Sequence, residues 1–167
     1  MGISEFKAAE LVTSDKLADI LRIWKTISGE RFAPRRDEVT PSRLRSLLPW
    51  TWFVEVIDGG ADFRFRVAGD RIVEYLGGRH AGLLLSELRG PAFFELMHEI
   101  FRYTVKYKRP IAHGPLRASH PNRASFEAEV LVLPLSDDGE NVTALFGGFE
   151  TWLYGTHFRV LSEQSAS

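Results

Sequence analysis

Hydrophobic and polar positions alternate most cleanly in two neighbouring stretches. Phe63, Phe65 and Val67 alternate with Arg64, Arg66 and Ala68, and Trp52, Val54 and Val56 alternate with Thr51, Phe53 and Glu55. A period of two marks half-buried strands, and Asp58-Gly59-Gly60-Ala61 between them reads as a tight turn. Trp50 to Ile57 and Asp62 to Ala68 are therefore predicted to form a hairpin. Directly opposed residues share a face, so Glu55 should meet Arg64 or Arg66 while Val56 meets a phenylalanine.

Elsewhere the period moves toward 3.6. Leu17, Ile20, Leu21, Trp24 and Ile27 follow a helical stripe, with Ser14 or Asp15 as cap and Gly29 as stop. Thr40-Pro41 opens a short helix through Leu48 that Pro49 ends. Gly69-Asp70 begins another, carrying Ile72, Val73, Tyr75 and Leu76, and Gly77-Gly78 closes it. Leu83 to Leu85 reads as an apolar turn tucked under the sheet. Gly90-Pro91 opens the longest helix, running to about Lys108. Its Phe94, Met97, His98, Phe101 and Val105 share one face, and Pro110 prevents continuation.

Three more strands follow, around Ile111 to Ser119, Ser125 to Leu135 and Val142 to Trp152. Pro115 demands an edge or a bulge. His120 to Arg123 and Asp137-Asp138-Gly139 are turn clusters, and Gly147-Gly148 suits close backbone approach. Glu127 and Glu129 share a face that becomes apolar at Leu131, Leu133 and Leu135. That face reads as solvated at one end and covered at the other, with the first helix as the cover.

Composition narrows the picture. At 167 residues, with 44% hydrophobic and 12% aromatic content, one domain with a substantial core is expected. Lys plus Arg number 21 against 22 Asp plus Glu, so no global charge draws the chain to nucleic acid or an anionic membrane. The local run Arg31, Arg35, Arg36, Arg43 and Arg45 reads as a solvated face or, alternatively, a phosphate-binding patch. The absence of cysteine removes disulfides, thiol nucleophiles, zinc-thiolate sites and cysteinyl-flavin photochemistry. Neither a signal-peptide core nor a run of about 20 apolar residues occurs, so a cytoplasmic protein without membrane insertion is expected.

Catalytic patterns are missing. His98-Glu99 lacks a second histidine at helical spacing, and His113 and His120 flank a strand and its turn, so no metal site is expected. Glu127 and Glu129 fit a sheet face as well as a carboxylate pair. No nucleophile elbow or phosphate loop is present. Glu95 and Glu99 point away from Phe94 and Phe101, leaving His98 as the one group placed for proton transfer inside a cavity. A small α+β isomerase or hydratase of the ketosteroid-isomerase type is the enzymatic alternative, and strand order separates it from the reading below.

The chain resembles a PAS domain, in particular the bacterial family of small stand-alone PAS proteins. The similarity is carried by the tryptophan-bearing helix from Leu17 to Gly29, Phe32-Ala33-Pro34-Arg35-Arg36-Asp37 leading to Thr40-Pro41, and Leu47-Leu48-Pro49. Phe63-Arg64-Phe65-Arg66-Val67-Ala68-Gly69 and Leu131-Val132-Leu133-Pro134-Leu135-Ser136 complete it. The resemblance implies an α+β fold with a five-stranded antiparallel sheet in the order 2-1-5-4-3, helices on one face, and the N-terminal helix on the sheet or a dimer partner. It divides the chain into an N-terminal helical extension (1–49), a PAS core (50–154) and a flexible tail (155–167).

It further implies a non-enzymatic sensory module in signal transduction, binding a small ligand or a protein partner. Phe65, Tyr75, Arg79, Phe94, Met97, His98 and Phe101 are the expected ligand contacts, with Tyr75, Arg79 and His98 as polar groups. A filled core accounts for the aromatic residues equally well. PAS domains that bind haem take an axial histidine from the corresponding long helix, which singles out His98. No cofactor is otherwise indicated. Leu17, Ile20 and Trp24 are expected at a homodimer interface, and with no output domain in the sequence the signal is expected to leave by a protein contact.

Overall fold

A computed structural model describes residues 6–153 apart from 77, 79, 89–92 and 121–122, and without the side chains of 75, 76, 93, 118–120, 123, 124 and 153. The tail beyond 153, and Arg79, lie outside the described residues. The elements are β1 (Lys7–Ala8), α1 (Asp15–Ser28), α2 (Pro41–Leu44), β2 (Thr51–Ile57), β3 (Asp62–Ala68), α3 (Asp70–Leu76), α4 (Phe93–Tyr107), β4 (Ile111–His120), β5 (Arg123–Leu135) and β6 (Ala144–Leu153). The strands form one antiparallel sheet, β1-β4-β5-β6-β2-β3. Without β1 this is the order 2-1-5-4-3, and the fold is α+β as the resemblance implies. The extra edge strand, two residues against Ile111 and Ala112, went unanticipated.

Two cores lie on opposite faces. Alternation along β5 sends Phe126, Ala128, Val130 and Val132 to the α4 side, where they meet Trp52, Val54, Phe63, Phe65, Ile100 and Phe101. Leu131, Leu133 and Leu135 face α1 and pack with Leu17, Ile20, Leu21, Trp24 and Phe146. The side-chain hydroxyl of Ser14 caps α1 by accepting from Leu17 N at 3.1 Å, and Gly29 ends it at φ 62°. A Cβ at Gly148 would run into Leu17 and Ile20, so glycine lets α1 lie directly on the sheet.

The hairpin register is as expected, with Glu55 opposite Arg64 and Val56 opposite Phe63, and Arg66 also bonded to Glu55 at 2.8 Å. A register shift at Phe53/Val54 then turns Val67 outward, 57% exposed, although its spacing matches Phe63 and Phe65. A shift between His113 and Leu116 accommodates Pro115. Leu83 is also exposed: residues 82–84 bond to the outer edge of β3 rather than tuck under it, and Leu85 alone of the three leucines is buried.

The solvated end expected for the β5 face needs correction. Glu127 and Glu129 are buried at 1% and 0% exposure, and the segment before α1 closes over Glu129. Leu17, Ile20 and Trp24, expected at a dimer interface, are buried against the chain's own sheet, with Trp24 Nε1 donating to the Pro134 carbonyl at 2.9 Å. The first arginines of the basic stretch are ion-paired within the chain, Arg31 to Glu38, Arg35 to Asp37, and Arg36 to Asp137 and Glu55. Among the described residues no helix is long and apolar enough to cross a membrane.

Candidate functional site

The cavity between α4 and the sheet is the candidate site. Its lining is Trp52 from β2, Phe65 from β3, Ile72 from α3, Phe94, Met97 and Phe101 from α4, Val130 from β5 and Phe149 from β6. Each strand residue has the parity that points toward α4. Each α4 residue falls on the stripe at spacings of three and four. The cavity volume is about 20 Å³, room for one small molecule of water size, with no polar side chain in the lining to hold it.

The walls are aromatic. Trp52 and Phe101 stack with ring centres 5.0 Å apart, and Phe63 meets Phe101 edge-on at 5.1 Å. The indole N–H of Trp52 donates to the Gly148 carbonyl at 3.2 Å, which fixes the ring and leaves its apolar faces to the cavity. At one side His80 lies 6.2 Å from Phe65 and 5.9 Å from Phe94, ring centre to ring centre.

Four of the expected ligand contacts, Phe65, Phe94, Met97 and Phe101, converge here. His98 does not. It stands edge-on to Phe63 at 5.7 Å, outside the lining, on the side where Asp62 accepts from Phe63 N, Ser86 N and the Ser86 hydroxyl. Burial, reinforced by the nearby Arg102 charge, lowers its pKa below the ordinary histidine value, so the ring is neutral near pH 7. Tyr75 belongs to α3 with its side chain outside the described residues, as is all of Arg79. Trp52, Ile72, Val130 and Phe149 were missed as lining residues. Strand parity was the available signal for three of them, since each alternates with a residue of the α1 face.

The geometry does not suit haem. The histidine proposed as axial ligand lies outside the lining, and the cavity volume is far below that of a macrocycle. Acid–base chemistry finds no support at the lining either: all eight residues are apolar or aromatic, and Glu95 and Glu99 are exposed. Among the described residues no group of His, Cys, Asp and Glu could hold a metal ion.

Residues 12–150 match a family model described as a PAS domain. The chain belongs to the PAS-domain family. Among solved structures, the PAS domain from Bordetella pertussis BvgS is similar, at 18% identity and a TM-score of 0.51 over 75% of this chain and 96% of that one. At that identity the likeness speaks for the PAS fold alone. No curated protein matches the sequence. The family match takes in α1 together with the sheet strands β2 to β5 and most of β6.

Proposed function

We propose that this PAS domain is a non-enzymatic sensory module whose α4-side cavity takes a small apolar ligand, and that a shift of α4 reports the binding. The observation that carries the reading is a cavity lined by eight apolar or aromatic side chains, between the sheet and the helices α3 and α4. Membership of the PAS family supports a sensory or signalling role.

The size of the cavity sets the mechanism. Pockets that enclose drug-sized molecules run to about 300–1,000 Å³, against about 20 Å³ here. A ligand larger than water must therefore displace Phe94 and Met97, which are 9% and 5% exposed and stand on α4. The ligand gains apolar contact only when α4 has moved, so binding selects the moved arrangement. A change in α4 then reaches whatever protein contacts that side of the domain.

Thermal denaturation with apolar probes of graded size, benzene, indole and naphthalene, tests this. A saturable rise in midpoint is expected, approaching the gain of about 2.7 kcal/mol that mass action gives at a hundred times Kd. Val130→Ile places an extra methylene in the cavity and should weaken probe binding at least threefold. No saturable rise with any probe up to its solubility limit overturns the proposal.

A further inference from the structure

The fully buried carboxylate of Glu129 is held from a segment more than a hundred residues earlier. Lys7 Nζ donates to Oε2 at 2.7 Å, and the Thr13 hydroxyl to the same oxygen at 3.2 Å. The Thr13 backbone N–H lies 3.0 Å from both oxygens, and Ser14 N–H donates to Oε1 at 2.9 Å. The segment also pairs Lys7 with Ala112 and Ala8 with Ile111, buries Ala9, and sets the Phe6 ring 5.6 Å from Tyr103 and 5.4 Å from His113. It thus passes around the β4 edge, touching the α4-side core at Phe6 and the α1-side core at Ala9.

We infer that residues 6–14 form a strap that opens from the sheet as a unit of its own, with Glu129 as its latch. The strap rests on two strand pairs, Phe6 against Tyr103 and His113, the buried Ala9, Val12 against the α1-side core, an exposed Glu10–Lys25 ion pair and the Glu129 carboxylate. These contacts at a sheet edge place it at the low-stability end of the fold. The latch makes opening cooperative. A buried carboxylate is tolerated when its oxygens are hydrogen-bonded, and losing the strap removes all five donor contacts together.

The surroundings sharpen the effect. Glu150 on β6 is directly opposite Glu129, and Glu127 is two positions away on the same face. Among the described residues Lys7 is the cation within salt-bridge distance of Glu129, whereas Lys16 of α1 pairs with Glu150 at 3.5 Å. Opening therefore withdraws a positive charge from a group of three carboxylates and frees the first turn of α1 at Ser14. Because Phe6 sits on Tyr103 of α4, the same motion unseats a ring from the cavity-side helix. The strap so ties α4 to α1 around the sheet edge, and the inference holds with no ligand in the cavity.

Site-resolved amide hydrogen exchange of the whole chain tests it through the Thr13 and Ser14 amides, which donate to Glu129. In the wild type these should exchange at least tenfold faster than Val130 and Leu131 of β5. Lys7→Met should speed them about a further tenfold, and Glu129→Gln by about ten- to a hundredfold, as expected for charge-assisted bonds, while β5 changes less than threefold. Should Glu129→Gln fail to fold, Lys7→Met carries the test, since Lys7 lies on the sheet's edge. Thr13 and Ser14 exchanging at the β5 rate in the wild type, or Lys7→Met speeding β5 equally, overturns the inference.

Discussion

Replacing Phe101 with alanine removes the ring around which the α4-side core is assembled. Phe101 is fully buried, stacks on Trp52 at 5.0 Å, meets Phe63 edge-on at 5.1 Å and lines the cavity. Withdrawing such a side chain from water is worth about 1.5–3 kcal/mol, and each aromatic pair adds about 0.5–1.5 kcal/mol. The rigid sheet beneath cannot follow the missing ring, so the full cost should be about 3–5 kcal/mol. Against a typical domain stability of about 5–15 kcal/mol the variant still folds. Urea denaturation measures this as a lower midpoint at unchanged slope. The enlarged cavity should then bind benzene, which at ten times Kd restores about 1.4 kcal/mol. A loss below about 1 kcal/mol, or no recovery with saturating benzene, would refute the packing argument.

Gly147→Ala should be among the most damaging small changes, because its Cβ would meet the Leu131 carbonyl and lie 2.9 Å from Trp52; a loss of more than about 3 kcal/mol in urea is expected. Trp24→Ala should cost about 3–5 kcal/mol by the same measurement and leave the sedimentation behaviour unchanged, since the ring is buried within the chain. Burial raises the Glu150 carboxyl above its ordinary 4.5, against the opposing pull of Lys16. The folded state therefore holds that proton more tightly than the unfolded one. This contribution is complete below pH 4.5 and is lost as pH rises through the raised folded value. Glu150→Gln should remove that fall from a plot of urea midpoint against pH, and an unchanged plot counts against it.

Much of the fold was legible because alternation survives where strands are regular. Phe63, Phe65, Glu55 and Arg64 fell on the expected faces, since every second residue meets the same core. Val67 did not, because Arg66 is an extra residue in its own strand, between the partners of Phe53 and Val54; it reverses parity and leaves no mark on the alternation itself. Lys7–Ala8 is too short to show any period. The buried state of Glu129 was hidden for another reason. Its donors sit on Lys7, Thr13 and Ser14, and only the folded chain brings them across the sheet edge. The α4 half of the cavity was readable from the helical stripe, but His98 shares that stripe and lies just beyond the lining. Spacing assigns a residue to a helix face, whereas the packing of that face on the sheet decides which part of it lines a cavity.

The most direct measurement of the central claim is a set of intermolecular nuclear Overhauser contacts from bound benzene to a methyl-labelled sample. The account predicts contacts to the Met97 ε-methyl and to the Val130 and Ile72 methyls, with none to Leu17, Ile20 or Leu133 on the opposite face. Contacts confined to the α1 side, or none at saturating benzene, would contradict it.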